Sequence, residues 1–255
     1  MKILYVTSEA NPFAASGGLG DVMGALPTAV AAEGHECGVI LPLYNTMKEE
    51  YRQKLEHVID FSFNLGWRHT GAAVYKIVHN NVTYYFVENH YYFDRGRLYG
   101  EFDDAERFAF FSRAVVEYML HSGNIPDVLH ANDWQTAPAI IYLKTEYAHI
   151  EALKKVKTVY TIHNIEYQGK FGSHILGEVF GLDHMYRGPA MITSIPRLAA
   201  LCANSSTSAG VLCADKAFIS KGILKSFNTL HAFSITGRSD VLPIMILTFG
   251  SISEF

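Results

Sequence analysis

Residues 2–34, KILYVTSEANPFAASGGLGDVMGALPTAVAAEG, decide the fold class of this chain. The stretch begins with an apolar, β-rich run over residues 2–6 and breaks at Asn11 and Pro12, where polar residues and proline open a loop. From Gly17 onward the apolar residues recur three or four positions apart, as on one face of a helix, and Gly34 closes the segment. The stretch therefore predicts a βα junction: a strand, a glycine-rich loop and a helix.

The rest of the chain repeats this rhythm with one interruption. Further strands are predicted over residues 37–41, 58–63, 72–78, 82–87, 126–130 and 156–162. Residues 79–81 predict a hairpin turn between the third and fourth of these, residues 90–95 an aromatic and charged loop, and residues 108–119 a helix. The predicted fold class is α/β, with a mostly parallel, doubly wound, Rossmann-like sheet and an inserted β-hairpin region.

Composition narrows the function classes. The chain has 255 residues and a net charge of −4, which gives little attraction to nucleic acid or an anionic membrane, so we expect neither as a partner. The cysteines, Cys37, Cys202 and Cys213, are odd in number and widely spaced, which argues against a disulfide framework and a zinc ribbon. The first apolar run is too short for a signal peptide or a membrane span. We therefore expect a cytoplasmic globular protein.

The glycine-rich loop is the first candidate site. Ser16, Gly17 and Gly18 stand where a helix begins, and backbone N–H groups at such a place suit a phosphate or a sugar hydroxyl. The alternative is that the glycines serve turn geometry alone. The dinucleotide motif G-x-G-x-x-G is not met, because Gly24 follows Gly20 one position too late, and this disfavours nicotinamide binding.

Two further polar segments follow predicted strands. The segments His130–Trp134 (HANDW) and Thr161–Asn164 (TIHN) place imidazole, amide and carboxylate groups at the edge of the sheet where ligands bind. The alternatives are that Asp133 caps the next helix and that His163 is a structural histidine. The 12 histidines are scattered and form no H-x-x-x-H or H-x-H pair with a carboxylate partner, so we expect no metal.

These segments together resemble the N-terminal domain of bacterial glycogen synthase and plant starch synthase, in glycosyltransferase family 5. The resemblance runs from residue 1 to about residue 172 and includes a Phe93-Asp94-Arg95 motif. It implies a GT-B fold of two Rossmann-like domains. It also implies transfer of glucose from ADP-glucose to the non-reducing end of an α-1,4-glucan, with retention of configuration and without a metal or other cofactor. One departure concerns the lysine that usually precedes the glycine loop, since Ala15 and Ser16 stand there instead.

The resemblance also implies roles for particular residues. Three are expected to be catalytic: Asp21, Asp133 and His163. Six are expected to bind substrate: Ser16, Gly17, Gly18, Phe93, Asn164 and Tyr167. The amides of the glycine loop are expected to face the phosphates of the donor, and His163 is expected to lie near the 6-hydroxyl of the transferred glucose.

The sequence also divides into two parts. Residues 1–190 are expected to form the acceptor-side domain, and residues 191–255 an atypical tail, with the C-terminal donor-binding domain absent. Such a chain is expected to be inactive alone. Two alternatives remain open at this point: a noncatalytic glucan-binding fragment, and an NAD-dependent oxidoreductase supported only by fold analogy.

Overall fold

The computed structural model describes residues 1–164, 167, 169, 171 and 175–182, together with the backbone of residues 244–246. The strands are β1 (Lys2–Val6), β2 (Glu36–Pro42), β3 (Glu56–Leu65), β4 (Arg68–His79), β5 (Val82–Glu88), β6 (Val128–Asn132), β7 (Lys157–Ile162) and β8 (Ile244–Ile246). The helices are α1 (Gly18–Ala32), α2 (Glu49–Arg52), α3 (His90–Phe93), α4 (Asp104–Ser122), α5 (Ala137–Lys144), α6 (Glu151–Lys154) and α7 (Ile175–Glu178).

All eight strands belong to one sheet with the order β3-β4-β5-β2-β1-β6-β7-β8. Strands β5, β2, β1, β6 and β7 run parallel, whereas β3, β4 and β8 pair antiparallel with their neighbours. The chain first adds β2 to β5 on one side of β1 and then adds β6, β7 and β8 on the other side. The carboxyl ends of β1 and β6 therefore form the switch point of a doubly wound sheet, where ligands bind in open α/β folds. The predicted fold class is confirmed.

The sheet is covered on both faces. On one face the Tyr85 ring of β5 lies 5.3 Å from the Tyr118 ring of α4. The next residue of β5, Phe86, points to the other face and contacts Phe13 of the β1–α1 loop at 5.2 Å between ring centroids. Because neighbouring residues of a strand point to opposite faces, this pair of contacts explains why β5 carries large aromatic residues on both of its faces.

The inserted hairpin has the predicted turn. His79 pairs with Val82, which leaves Asn80 and Asn81 as a two-residue loop. Both have positive φ angles, 51° and 62°, as a type I′ turn requires. Asparagine tolerates this left-handed conformation better than most residues do.

Two local predictions differ from the structure, and one falls on residues that the structure does not describe. Residues 90–93 form the short helix α3 rather than a loop, because the Asn89 side chain accepts a hydrogen bond from the backbone N–H of Tyr92 at its start. Strand β6 continues through Asn132, so His130 is an inner strand residue, paired with Tyr5 and Val159. Apart from β8, the predicted tail over residues 191–255 lies outside the described residues.

Candidate functional site

The predicted polar segments meet at the carboxyl edge of the sheet, and one buried amide joins them. Asn132 ends β6 and has no exposed surface. Its Nδ2 donates to the backbone oxygens of Val6 in β1 and His130 in β6, each at 3.1 Å. Its Oδ1 lies 2.9 Å from Nε2 of His163, the first residue after β7. Asn132 therefore fixes the ends of β1, β6 and β7 relative to one another.

Asp133 connects the β6 and β7 ends from the other side. Its φ of 59° is left-handed, and its Oδ1 accepts hydrogen bonds from the backbone N–H groups of His163 at 2.6 Å and Asn164 at 3.3 Å. Helix α5 begins four residues later, at Ala137, with Thr136 at the capping position. The alternative in which Asp133 caps the next helix is therefore wrong. The pKa of Asp133 is raised from 3.8 to about 7, mainly by burial; the two N–H donors act against this rise, and the nearby Glu9 carboxylate adds to it.

His163 is neutral at pH 7 in this environment, because burial lowers its pKa from 6.5 to about 4. Since Nδ2 of Asn132 donates to two carbonyls, its Oδ1 must accept, and Nε2 of His163 must carry the proton. The Nδ1 atom of His163 is then an acceptor, buried and without a hydrogen-bond partner among the described residues. Such an atom can accept a hydrogen bond from a ligand hydroxyl.

Glu9 organises the glycine-rich loop, and sequence reasoning did not select it as a site residue. Its side chain is only 3% exposed. One oxygen, Oε2, accepts from the backbone N–H groups of Ser16 and Gly17, and the other accepts from the hydroxyls of Ser16 and Tyr99. The signal available in the sequence was an acidic residue three positions after a buried strand, at the edge where ligands bind.

This arrangement corrects one expectation. The N–H of Gly17 was expected to face donor phosphates, but it donates to Glu9 at 3.1 Å. Gly18 begins α1, and a Cβ added at Gly17 or Gly18 would meet no atom within 4 Å. At Gly20, by contrast, a Cβ would lie 2.4 Å from Cβ of Ala15. Packing therefore requires glycine at Gly20, whereas Gly17 and Gly18 leave an exposed backbone that a ligand can approach.

The other predicted residues fall into two groups. Asp21 is exposed in the first turn of α1, where its Oδ1 accepts from Nδ2 of Asn11 at 2.6 Å, and Asn164 and Tyr167 are also exposed. Phe93 has no exposed surface and packs against Tyr44 and other core rings. Because a side chain without exposed surface cannot contact substrate in this conformation, we assign Phe93 to the core and correct its expected role.

The described residues contain neither a metal-binding cluster nor a membrane-spanning helix. No three histidine, cysteine, aspartate or glutamate side chains among them are grouped so that they could hold a metal ion. No helix in the described part of the chain has the length and apolar character needed to cross a membrane.

Comparison with known proteins identifies the family of this chain. Residues 2–225 match the family model described as the starch synthase catalytic domain. The chain belongs to this family. The resemblance stated from the sequence motifs is thereby confirmed.

Individual members of the family are also similar to the chain. Glycogen synthase of Exiguobacterium sibiricum is 46% identical over 187 residues, which are 72% of this chain and 39% of the relative. Glycogen synthase of Streptococcus pneumoniae strain Hungary19A-6 is 47% identical over 182 residues, 71% of this chain and 38% of the relative. The chain thus spans about two fifths of the length of these relatives.

A solved structure supports the same family. The catalytic domain of starch synthase IV from Arabidopsis thaliana, bound to ADP and acarbose, has a TM-score of 0.66 and 32% sequence identity with this chain. The match covers 71% of this chain and 37% of the plant protein. The mostly parallel α/β sheet described above is therefore the sheet of a starch synthase catalytic domain.

Proposed function

We propose that the chain forms the acceptor-side half of a glycogen or starch synthase. The reaction is transfer of glucose from ADP-glucose to the non-reducing end of an α-1,4-glucan, with retention of anomeric configuration. The observation that supports this most directly is the Asp133, His163 and Glu9 cluster at the switch point of a sheet in the starch synthase catalytic domain family. The ADP and acarbose of the plant structure are a nucleotide and a glucan-like ligand of the matching classes.

The charges of the cluster suit a transition state that gains positive charge on the sugar. Glu9 and Asp133 are buried carboxyl groups close enough for Glu9 to raise the pKa of Asp133. A developing oxocarbenium charge beside them reverses that repulsion and favours the ionised form of Asp133. The carboxylate then stabilises the transition state more than the ground state, which is the requirement for catalysis.

The neutral His163 has a different role in the proposal. Its Nδ1 lone pair accepts a hydrogen bond from a hydroxyl of the transferred glucose, while Nε2–H stays fixed on Asn132. The exposed backbone at Gly18 and the first turn of α1 lie on the donor side, where Asp21, Ser16, Asn164 and Tyr167 contact the substrates. The cytoplasmic location expected from composition stays a prediction.

The proposal is tested by measuring transfer of labelled glucose to glycogen. The 255-residue chain is compared with the same chain extended by the C-terminal half of the Exiguobacterium relative, with ADP-glucose and UDP-glucose in separate arms. We expect background rates from the chain alone, because groups from both sides of a cleft must surround the reacting centre. We expect turnover from the extended chain with ADP-glucose.

A substitution separates catalysis from folding. Asp133→Asn keeps an oxygen that can accept from His163 and Asn164, so the extended variant should melt within a few degrees of its parent. Its turnover should fall at least 100-fold, because the neutral amide cannot offset positive charge. Near-normal turnover would remove Asp133 from the mechanism. Glucan binding by a folded extended chain that transfers no glucose would favour the second candidate, a noncatalytic glucan-binding module.

A further inference from the structure

A second cleft lies at the far end of the same sheet edge. The β3–β4 hairpin places Trp67 at its tip, and helix α3 places Tyr91 opposite. These side chains are 78% and 68% exposed. They border a cavity of about 340 Å³, which falls within the size range of small-molecule sites. The cavity is also lined by Arg68, His69, Tyr92 and Glu106.

The hairpin tip is held in place from behind. Gly66 has a φ of 58°, and a Cβ there would lie 3.0 Å from the backbone oxygen of Glu178 in α7. Arg68 donates to that same oxygen at 3.4 Å. Close packing of the hairpin on α7 therefore fixes the backbone that carries Trp67, although its ring stays in water.

The polar side of the cleft is an ordered network. Arg68 pairs with Glu106 at 3.1 Å, and Glu106 accepts from the hydroxyl of Tyr92 at 2.7 Å. The Arg68 guanidinium also lies over the Trp67 ring, 4.5 Å from its centroid. The charges of Arg68 and Glu106 offset each other, so the cleft favours a neutral ligand over a phosphate.

Exposed aromatic rings beside a neutral polar network suit a saccharide ligand. A pyranose ring presents C–H groups on its faces, which pack on exposed indole and phenol rings, and hydroxyls at its rim, which bond to carboxylate and guanidinium groups. Large aromatic rings left in water forgo the burial that normally stabilises them. A protein partner would need roughly 800 Å² of surface on each side, far more than the two rings offer.

We propose that the cleft between Trp67 and Tyr91 binds pyranose units of a glucan chain. That the glucan is α-1,4-linked rests on the proposed function. Strand β4 lies three positions from β1 in the sheet order, which corresponds to about 15 Å between strands. The antiparallel β4 starts at the same edge where β1 ends, so one glucan chain several units long can reach from this cleft toward the site at β1.

The test uses maltoheptaose and glycogen with the 255-residue chain. Binding is followed by tryptophan fluorescence and by retardation in native gels containing glycogen. The chain has two tryptophans, and since Trp134 is only 8% exposed, Trp67 should give most of the ligand-dependent signal. Trp67→Ala and Tyr91→Ala should each weaken glucan binding at least fivefold. Phe102→Ala is the matched control, because Phe102 is 95% exposed and does not line the cleft; it should leave binding unchanged.

Several outcomes would overturn the proposal. One is equal retardation of the parent and a folded Trp67→Ala or Tyr91→Ala variant, with folding checked by circular dichroism. Another is self-association of the parent that Trp67→Ala abolishes, which would identify the cleft as a contact between copies. A failure of the proposed function would be distinguishable, because the extended chain would then transfer no glucose while glucan binding still depended on Trp67 and Tyr91. Normal transfer with no effect of either variant on glucan binding would refute the cleft alone.

Discussion

At the scale of single residues, Glu9 illustrates how one buried carboxylate can fix the backbone of the glycine-rich loop at Ser16 and Gly17. Its two oxygens accept four hydrogen bonds, two from the backbone of Ser16 and Gly17 and two from hydroxyls. Hydrogen bonds to a charged acceptor are stronger than neutral ones. The conformation of the loop should therefore depend on the charge at this position.

Glu9→Gln tests that dependence. The amide offers one acceptor oxygen and turns an NH₂ group toward groups that are themselves donors, so we expect a loss of about 1.5–3 kcal/mol in the free energy of unfolding. Hydrogen exchange of the Ser16 and Gly17 amides should become at least tenfold faster. Glu36→Gln is the control, because Glu36 is exposed and only forms a surface pair with Lys2. Unchanged exchange in Glu9→Gln would mean that backbone bonds such as Gly20 N–H to Gly17 O hold the loop.

At the scale of elements, the β4–β5 hairpin depends on a turn that most residues fit badly. Asn81 has a φ of 62°, where alanine is strained and glycine is not. We expect Asn81→Ala to lower the free energy of unfolding by about 1 kcal/mol. Asn81→Gly should leave it unchanged or raise it, because Asn-Gly is a favoured type I′ pair. Denaturant unfolding of both variants checks this, and equal values would show that the turn is not left-handed at Asn81.

The elements also show what a sequence can predict. Strands β1, β2 and β7, helix α1 and the hairpin turn follow from apolar periodicity and from turn residues, which are local properties. The site depends on contacts between distant positions instead. Glu9 meets Tyr99, 90 positions along the chain, and Asn132 meets Val6, 126 positions away. No local pattern encodes such pairs.

The difference between local sequence patterns and long-range contacts also explains why Phe93 was wrongly predicted to bind substrate. Phe93 stands in a motif shared with the family, beside the exposed Tyr91, and the sequence contains nothing that separates the two rings. Their difference arises when α3 packs on α4, which buries Phe93 against Phe110 and Phe111. Trp67 is the converse case: it lies between the predicted strands over residues 58–63 and 72–78, and the tip of the β3–β4 hairpin leaves it 78% exposed.

At the scale of the whole molecule, buried groups at the carboxyl edge make stability depend on pH in opposite directions. The pKa of Asp133 is raised to about 7, so its contribution to stability is fully present below pH 3.8 and is lost as the pH rises through 7. Burial lowers the pKa of His130 to about 3 and that of His163 to about 4. Their contributions are present above pH 6.5 and are lost as the pH falls.

Asp133→Asn removes one of these opposing effects. Between pH 5 and pH 8 the parent loses about 3 kcal/mol through Asp133, since the folded protein must give up the proton that burial favours. The unfolding free energy of the variant, relative to the parent, should therefore rise by up to that amount from pH 5 to pH 8. Urea unfolding at the two pH values measures it. A constant difference would show that Asp133 is already ionised at pH 5.

His130→Gln should have the reverse effect. In the folded protein His130 is 6% exposed, with Nε2 2.8 Å from Oγ1 of Thr161, and it remains neutral at pH 5 while the unfolded chain takes up a proton. This difference in protonation lowers the parent's free energy of unfolding by about 2 kcal/mol at pH 5 relative to pH 8. Glutamine does not titrate, so the variant does not undergo this loss. The side-chain amide can still reach Thr161, so the comparison isolates the charge.

Relative to the parent, the His130→Gln variant should gain about 2 kcal/mol in the free energy of unfolding as the pH falls from 8 to 5, whereas Asp133→Asn loses stability over the same range. If His130→Gln gained no stability relative to the parent as the pH falls from 8 to 5, the imidazole of His130 would have to be protonated inside the sheet at pH 5.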